Sequence, residues 1–129
     1  MSPSQKVIKE LDLVPHPEGG YFKETYRSIG EINQDSLGQN YNGKRHFSTC
    51  IYFLLTSDKF SALHRIQQDE IWHFYDGSSI RLHIISESGI HTTHLIGRDF
   101  DKGEVPQFVV PGGCWFAGEV VEQDAYSLI

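Results

Sequence analysis

From Tyr21 onward the chain is a succession of short segments rich in aromatic and β-branched residues, and this pattern constrains the fold more than any other feature of the sequence. The segments are Tyr21–Arg27, Thr49–Thr56, Phe60–Ile66, Ile71–Asp76, Ile80–Ser86, Ile90–Ile96, Gln107–Pro111, Trp115–Glu122 and Ala125–Ile129. Such side chains fit a pleated, half-buried surface. Asn42-Gly43, Asp76-Gly77 and Ser88-Gly89 fall between or at the ends of segments, where glycine accepts the positive φ that hairpins require. Many short strands at this spacing predict an antiparallel sandwich or barrel. One short helix of about ten residues precedes them. Ser4 is placed to cap it, Val7, Ile8 and Leu11 fall on one face, and Pro15 with Pro17 stops it. The expected fold class is all-β with a single short N-terminal helix.

At 129 residues the chain reads as one domain, 1–129, long enough to bury roughly two thirds of its unfolded surface without a disulfide or structural metal. Its 8 Phe, 6 Tyr and 2 Trp supply the bulky groups that a disordered chain lacks. The net charge of −6 and the absence of any Lys/Arg cluster argue against nucleic acid and anionic membrane as partners. No apolar run approaches the roughly 18 residues of a membrane span, and no secretory leader is visible, so the expected compartment is the cytoplasm. Cys50 and Cys114 belong to no CxxC pair and read as structural thiols in apolar surroundings rather than a disulfide. Ser28–Arg45, polar and holding three glycines and three asparagines, reads as an exposed connection. Ala125–Ile129 resembles a buried strand with no turn or polar tail after it, which would leave a bare sheet edge. A homodimer in which Tyr21–Arg27 contributes would cover that edge, as would further residues after Ile129.

Two segments carry the chemistry. In the first, His64, Glu70 and Gly77 stand with Ile66, Trp72 and His73; in the second, Pro111 and Gly113 precede Trp115 and Phe116. This arrangement resembles the two motifs of the cupin superfamily, with Ile66 and Phe116 at positions where those motifs place histidines and Val105 where the second motif opens on glycine. The resemblance is closer to the small cupins once catalogued as a domain of unknown function, and it runs over nearly the whole chain. It rests on His16-Pro17-Glu18-Gly19-Gly20-Tyr21-Phe22, Glu24-Thr25-Tyr26-Arg27, Ser48-Thr49, Ile51-Tyr52-Phe53-Leu54-Leu55, His64-Arg65, Asp69-Glu70, Trp72-His73-Phe74-Tyr75, Gly103-Glu104 and Pro106-Gln107. The resemblance implies a metal-poor jelly-roll barrel, commonly homodimeric, with a pocket in the barrel mouth and no settled activity. It also implies kinship in fold with the sugar epimerases of rhamnose biosynthesis, and a further C-terminal strand that this chain lacks.

Strand alternation puts His64 and Ile66 on one face and Glu70, Trp72 and Phe74 on another. Of the four ligand positions in the cupin motifs only His64 and Glu70 keep a donor, too few for a firm first-row metal site. His73 could add a third ligand only if a bulge turned it inward. No cofactor is expected, with a weak divalent metal as the alternative. A histidine beside a carboxylate can instead take a proton from carbon next to a carbonyl, with His64 as base and Glu70 as its orienter. The competing reading makes both residues members of a buried structural network with Arg65 or Tyr52. Trp72 and Trp115 could stack on a ring, His73 and Gln107 could contact the ligand, and His64, Glu70, Trp72 and Trp115 are expected to line one cavity. Glu18-Gly19-Gly20 reads as a structural turn fixed by His16, while His83, His91 and His94 read as surface residues. The functional expectation is a small-molecule-binding cupin, acting as a metal-independent isomerase or epimerase on a sugar-like carbonyl compound. A non-catalytic binding module and a weakly metal-dependent enzyme are the alternatives.

Overall fold

The structure, a computed structural model, describes residues 1–129. Helix α1 (Pro3–Glu10) is followed by β1 (Val14–Pro15), β2 (Tyr21–Arg27), β3 (Glu31–Ile32), β4 (Arg45–His46), β5 (Thr49–Thr56), β6 (His64–Arg65) and β7 (Glu70–His73). Then come β8 (Asp76–Gly77), β9 (Ile80–Ile85), β10 (His91–Ile96), β11 (Gln107–Val110), β12 (Trp115–Val120) and β13 (Tyr126–Leu128). The helix is capped by Ser2, not Ser4: the Ser2 hydroxyl accepts the Gln5 amide while the Gln5 side chain accepts the Ser2 amide. Pro3 then occupies the first turn, where its missing N–H costs nothing.

The strands form a jelly roll. One sheet has the order β1-β2-β5-β13-β8 and the facing one β10-β9-β12-β6, while β7 and β11 pair with each other. All registered pairs are antiparallel. Period-two alternation sends Phe53 and Leu55, Trp72 and Phe74, Ile80, Leu82 and Ile84, and Phe116 into the central core. The opposite face of the first sheet, through Leu54 and Leu128, packs with Leu13 and with Val7, Ile8 and Leu11 of the helix region. That second contact is why α1 folds despite its length, since an isolated helix this short is not stable in water.

Ala125–Ile129 leaves no bare edge: β13 lies between β5 and β8, and Ile129 exchanges backbone hydrogen bonds of 2.8 and 2.9 Å with Phe53. Asp76-Gly77 is not a hairpin tip but the short edge strand β8 against β13. Its glycine is required because a Cβ at Gly77, with φ of 91°, would lie 2.1 Å from the Tyr126 carbonyl oxygen. The expected strand Phe60–Ile66 shrinks to His64–Arg65 because the Ala62 amide turns away to the Glu18 carbonyl, at 2.9 Å. Cys50 and Cys114 are free thiols; Cys114 packs on the core, whereas Cys50 is exposed rather than in apolar surroundings. No helix is long and apolar enough to cross a membrane.

Candidate functional site

The site begins with the register of two strand pairs. His64 stands opposite Phe116, so both point into the barrel, and Phe116 is 1% exposed with its ring 4.2 Å from the imidazole. On β7 the alternation turns Glu70, Trp72 and Phe74 inward; Trp72 is 6% exposed and meets Phe116 edge-on at 6.3 Å. The Trp72 indole N–H donates to Glu70 Oε1 at 2.7 Å. Burial pushes the Glu70 carboxyl above its ordinary range, an effect that the Trp72 bond and the nearby His64 only partly offset.

The third element is the turn His16–Gly20. The Glu18 amide donates to His16 Nδ1 at 3.0 Å, and the His16 ring lies edge-on to Phe22 and Phe53 at 4.8 and 5.7 Å. Gly19 and Gly20 both have positive φ, and a Cβ on them would meet the carbonyl oxygens of Phe60 at 2.8 Å and of Leu54 at 2.6 Å. Only glycine lets the turn pack this closely. The packing carries the Glu18 carboxylate to within 3.2 Å of His64 Nδ1. The same nitrogen lies 2.8 Å from the Ala62 carbonyl oxygen, which can only accept. Nδ1 of His64 therefore carries a proton. In the neutral ring Nε2 is then the lone-pair nitrogen, and it has no hydrogen-bond partner within the chain.

This arrangement reassigns a role. The carboxylate in contact with His64 is Glu18, which sequence reasoning took for part of a structural turn; Glu70 is held by Trp72 instead. The contact spans the chain from residue 18 to residue 64 and no local pattern announces it, although a glutamate inside a double-glycine turn was the one available sign. His64, Glu70 and Trp72 are brought together as expected. Trp115 is not: Phe116 occupies the inward position, so its neighbour points outward, where it is 41% exposed beneath the Arg65 guanidinium at 5.4 Å. His73 and Gln107 also face outward. They are directly paired across β7 and β11, 3.4 Å apart, and the register there is continuous, so no bulge turns His73 toward Glu70. Of the three histidines expected on the surface, His91 is exposed, His83 is half-buried beside Glu119, and His94 is half-buried against Phe108 at 4.4 Å. Concavities of about 430 Å³ against α1 and Tyr126 and about 410 Å³ between Arg65, Trp115 and the Ser86–Gly89 turn both lie away from His64 and Glu70.

The family profile described as Cupin superfamily (DUF985) matches residues 5–129. The chain belongs to this cupin family. It is 32% identical over 128 residues to an uncharacterized protein of Saccharomyces cerevisiae, a match covering 95% of this chain and 64% of the yeast protein. The chain therefore spans about two thirds of that relative. Among solved structures, a hypothetical protein from Leishmania major superposes with a TM-score of 0.87 at 35% identity, covering 99% of this chain and 78% of the other. A crystal structure from Shewanella oneidensis gives 0.86 at 38% identity, over 99% and 75%. In this cupin the donor set does not fit a metal. Ile66 and Phe116 fill two of the four motif positions with side chains that offer no donor, and no group of three His, Cys, Asp or Glu side chains is placed to share an ion.

Proposed function

We propose that this cupin binds a small polar carbonyl compound of sugar-like chemistry in the barrel and isomerises or epimerises it without a metal. The observation that carries the proposal is the fixed tautomer of His64. Ala62 and Glu18 hold the proton on Nδ1, leaving Nε2 free to take a proton from carbon next to a carbonyl. Glu18 then faces the imidazolium that forms, as a carboxylate should. Glu70, biased toward its protonated form by burial, supplies an acid for the developing enolate oxygen. Return of the proton from the imidazolium to the neighbouring carbon, while the Glu70 carboxylate takes the proton of the other enediol hydroxyl, forms the new carbonyl and restores both groups. The phenyl and indole faces of Phe116 and Trp72 form an apolar wall that strengthens these polar contacts.

A second reading, a non-catalytic binding module, draws on the fact that every buried side-chain nitrogen and oxygen already has a partner. Deuterium wash-in tests the difference. Aldoses, ketoses and their phosphates incubated with the protein in heavy water are expected to take up deuterium next to the carbonyl. His64→Ala should cut that rate about 10²–10⁴-fold while the protein remains folded. Absence of wash-in across the panel, together with saturable binding that His64→Ala weakens, would establish the binding module instead. The same reading takes the chain to be a cytoplasmic homodimer with neither nucleic acid nor membrane as partner. Its acidic net charge of −6 speaks against polyanionic partners, and its two free thiols suit a reducing compartment.

A further inference from the structure

The outer face of the β10-β9-β12 sheet carries a second polar cluster, unconnected with the barrel interior. His83 on β9 stands opposite Thr93 and His91 on β10 opposite Ile85, so the two imidazoles are diagonal neighbours on one face. Their rings stack at 5.3 Å with planes 25° apart, and His83 Nδ1 lies 3.0 Å from His91 Nε2. On the other side of His83, Nε2 lies 3.1 Å from Glu119 Oε1, which also accepts Arg81 Nη1–H at 3.1 Å. Held between the Arg81 guanidinium and the His83 ring, the Glu119 oxygen accepts from both. His83 therefore keeps a proton on Nε2. In the neutral ring its Nδ1 lone pair is aimed at the ring nitrogen of His91.

We propose that His83 and His91 form a two-imidazole clip for a tetragonal divalent transition metal, Cu²⁺ or Ni²⁺, on the outer sheet face, with Glu119 as the carboxylate partner of His83. At a metal–nitrogen distance of about 2.05 Å, two nitrogens 3.0 Å apart subtend about 94° at the metal. That angle is close to the 90° of tetragonal coordination and well below the roughly 109° of tetrahedral zinc. Copper(II) also heads the divalent affinity order and accepts imidazole readily. The Glu119–His83 contact repeats the carboxylate–histidine–metal arrangement that orients a ligating ring and raises its basicity. No third His, Cys, Asp or Glu joins the pair, so water completes the coordination and the ion is exchangeable rather than structural. Both rings are mounted on adjacent strands, and each must turn its nitrogen by about 43° from the line of their 3.0 Å contact to meet a shared ion.

Titration of the untagged chain with CuCl₂, followed by calorimetry and by electron paramagnetic resonance, tests the clip. One Cu²⁺ per chain is expected, with superhyperfine coupling to two nitrogens. His91→Ala, which removes an exposed side chain, should weaken binding at least tenfold and abolish the second nitrogen coupling, and His83→Ala should do the same. Glu119→Gln should weaken it about tenfold, at the low end of what loss of an outer-shell partner costs. His94→Ala, on the inner face, and His64→Ala, in the barrel, should leave copper binding unchanged. The clip is overturned if the wild-type chain binds no copper at micromolar concentration, if His91→Ala binds as wild type does, or if His64→Ala removes the ion.

Discussion

Glu70 is the residue at which burial and ionisation conflict most directly. Burial raises its folded-state pKa above the ordinary 4.5, so the folded state favours the protonated carboxyl. Its contribution to stability is complete below 4.5 and is lost as pH rises through the raised folded value. Glu70→Gln cannot ionise and still offers an oxygen to the Trp72 indole. Its melting temperature should match that of the wild type near about pH 4 and exceed it by about 3 °C at neutral pH, the gap opening between. Melting curves across that range check it, and a gap independent of pH would show that the carboxyl is not desolvated. At this scale the sequence was legible wherever period-two alternation decides the outcome. It puts His64 with Ile66, and Glu70 with Trp72, and it sends the odd-spaced His73 outward. The same rule places Trp115 and Gln107 outside once Phe116 and Phe108 are known to face in, but which of two adjacent aromatics the core takes depends on the facing sheet. The contact of Glu18 with His64 was not legible because it depends on how the double-glycine turn packs against residues 60–62.

Among the elements, β13 shows how a strand's place in a sheet escapes local reading. Composition identified it as a strand with a buried character, and its interior position between β5 and β8 explains that character. What could not be read was that Asp76-Gly77, a strong turn signal, would be straightened into its partner. A glycine with positive φ marks either a hairpin tip or a close backbone approach, and sequence alone does not separate them. The register Ser127↔Gly77 decides for close approach. Gly77→Ala would have to fit a Cβ 2.1 Å from the Tyr126 carbonyl oxygen while holding φ near 91°. A rigid backbone neighbour cannot yield as a side chain would, so the substitution should cost about 3 kcal/mol or more in a urea titration. Gly89→Ala, at a real hairpin tip with φ of 85° and open space around it, should cost only the local strain, about 1 kcal/mol. Equal costs at the two sites would mean that β8 does not pair tightly with β13.

For the molecule as a whole, the question is what covers the surface that one chain leaves open. The C-terminal strand no longer supplies an argument for a dimer, since it is paired on both sides. One edge that remains open is β2. β1 pairs only with Tyr21 and Phe22, so Lys23–Arg27 have backbone groups free on that side. Charged edges normally resist pairing, but here the charges are matched within the chain: Lys23 lies 3.7 Å from Asp12, and Glu24 and Arg27 bond each other. Tyr26, 55% exposed, adds an apolar group at the same edge. Ile71 and Val109, 55% and 47% exposed and directly paired, extend an uncovered apolar surface on the outside of β7 and β11. A twofold pairing would cover such surfaces with a single self-complementary patch and leave no open end. Light scattering at micromolar concentration should therefore return two chains of 14.7 kDa, about 29 kDa, rather than one. Tyr26→Asp, which places an unmatched charge on the edge, should shift the population toward a mass of one chain, about 15 kDa. A monomeric wild-type chain would remove the dimer, and a dimer indifferent to Tyr26→Asp would transfer the interface from β2 to the Ile71–Val109 face.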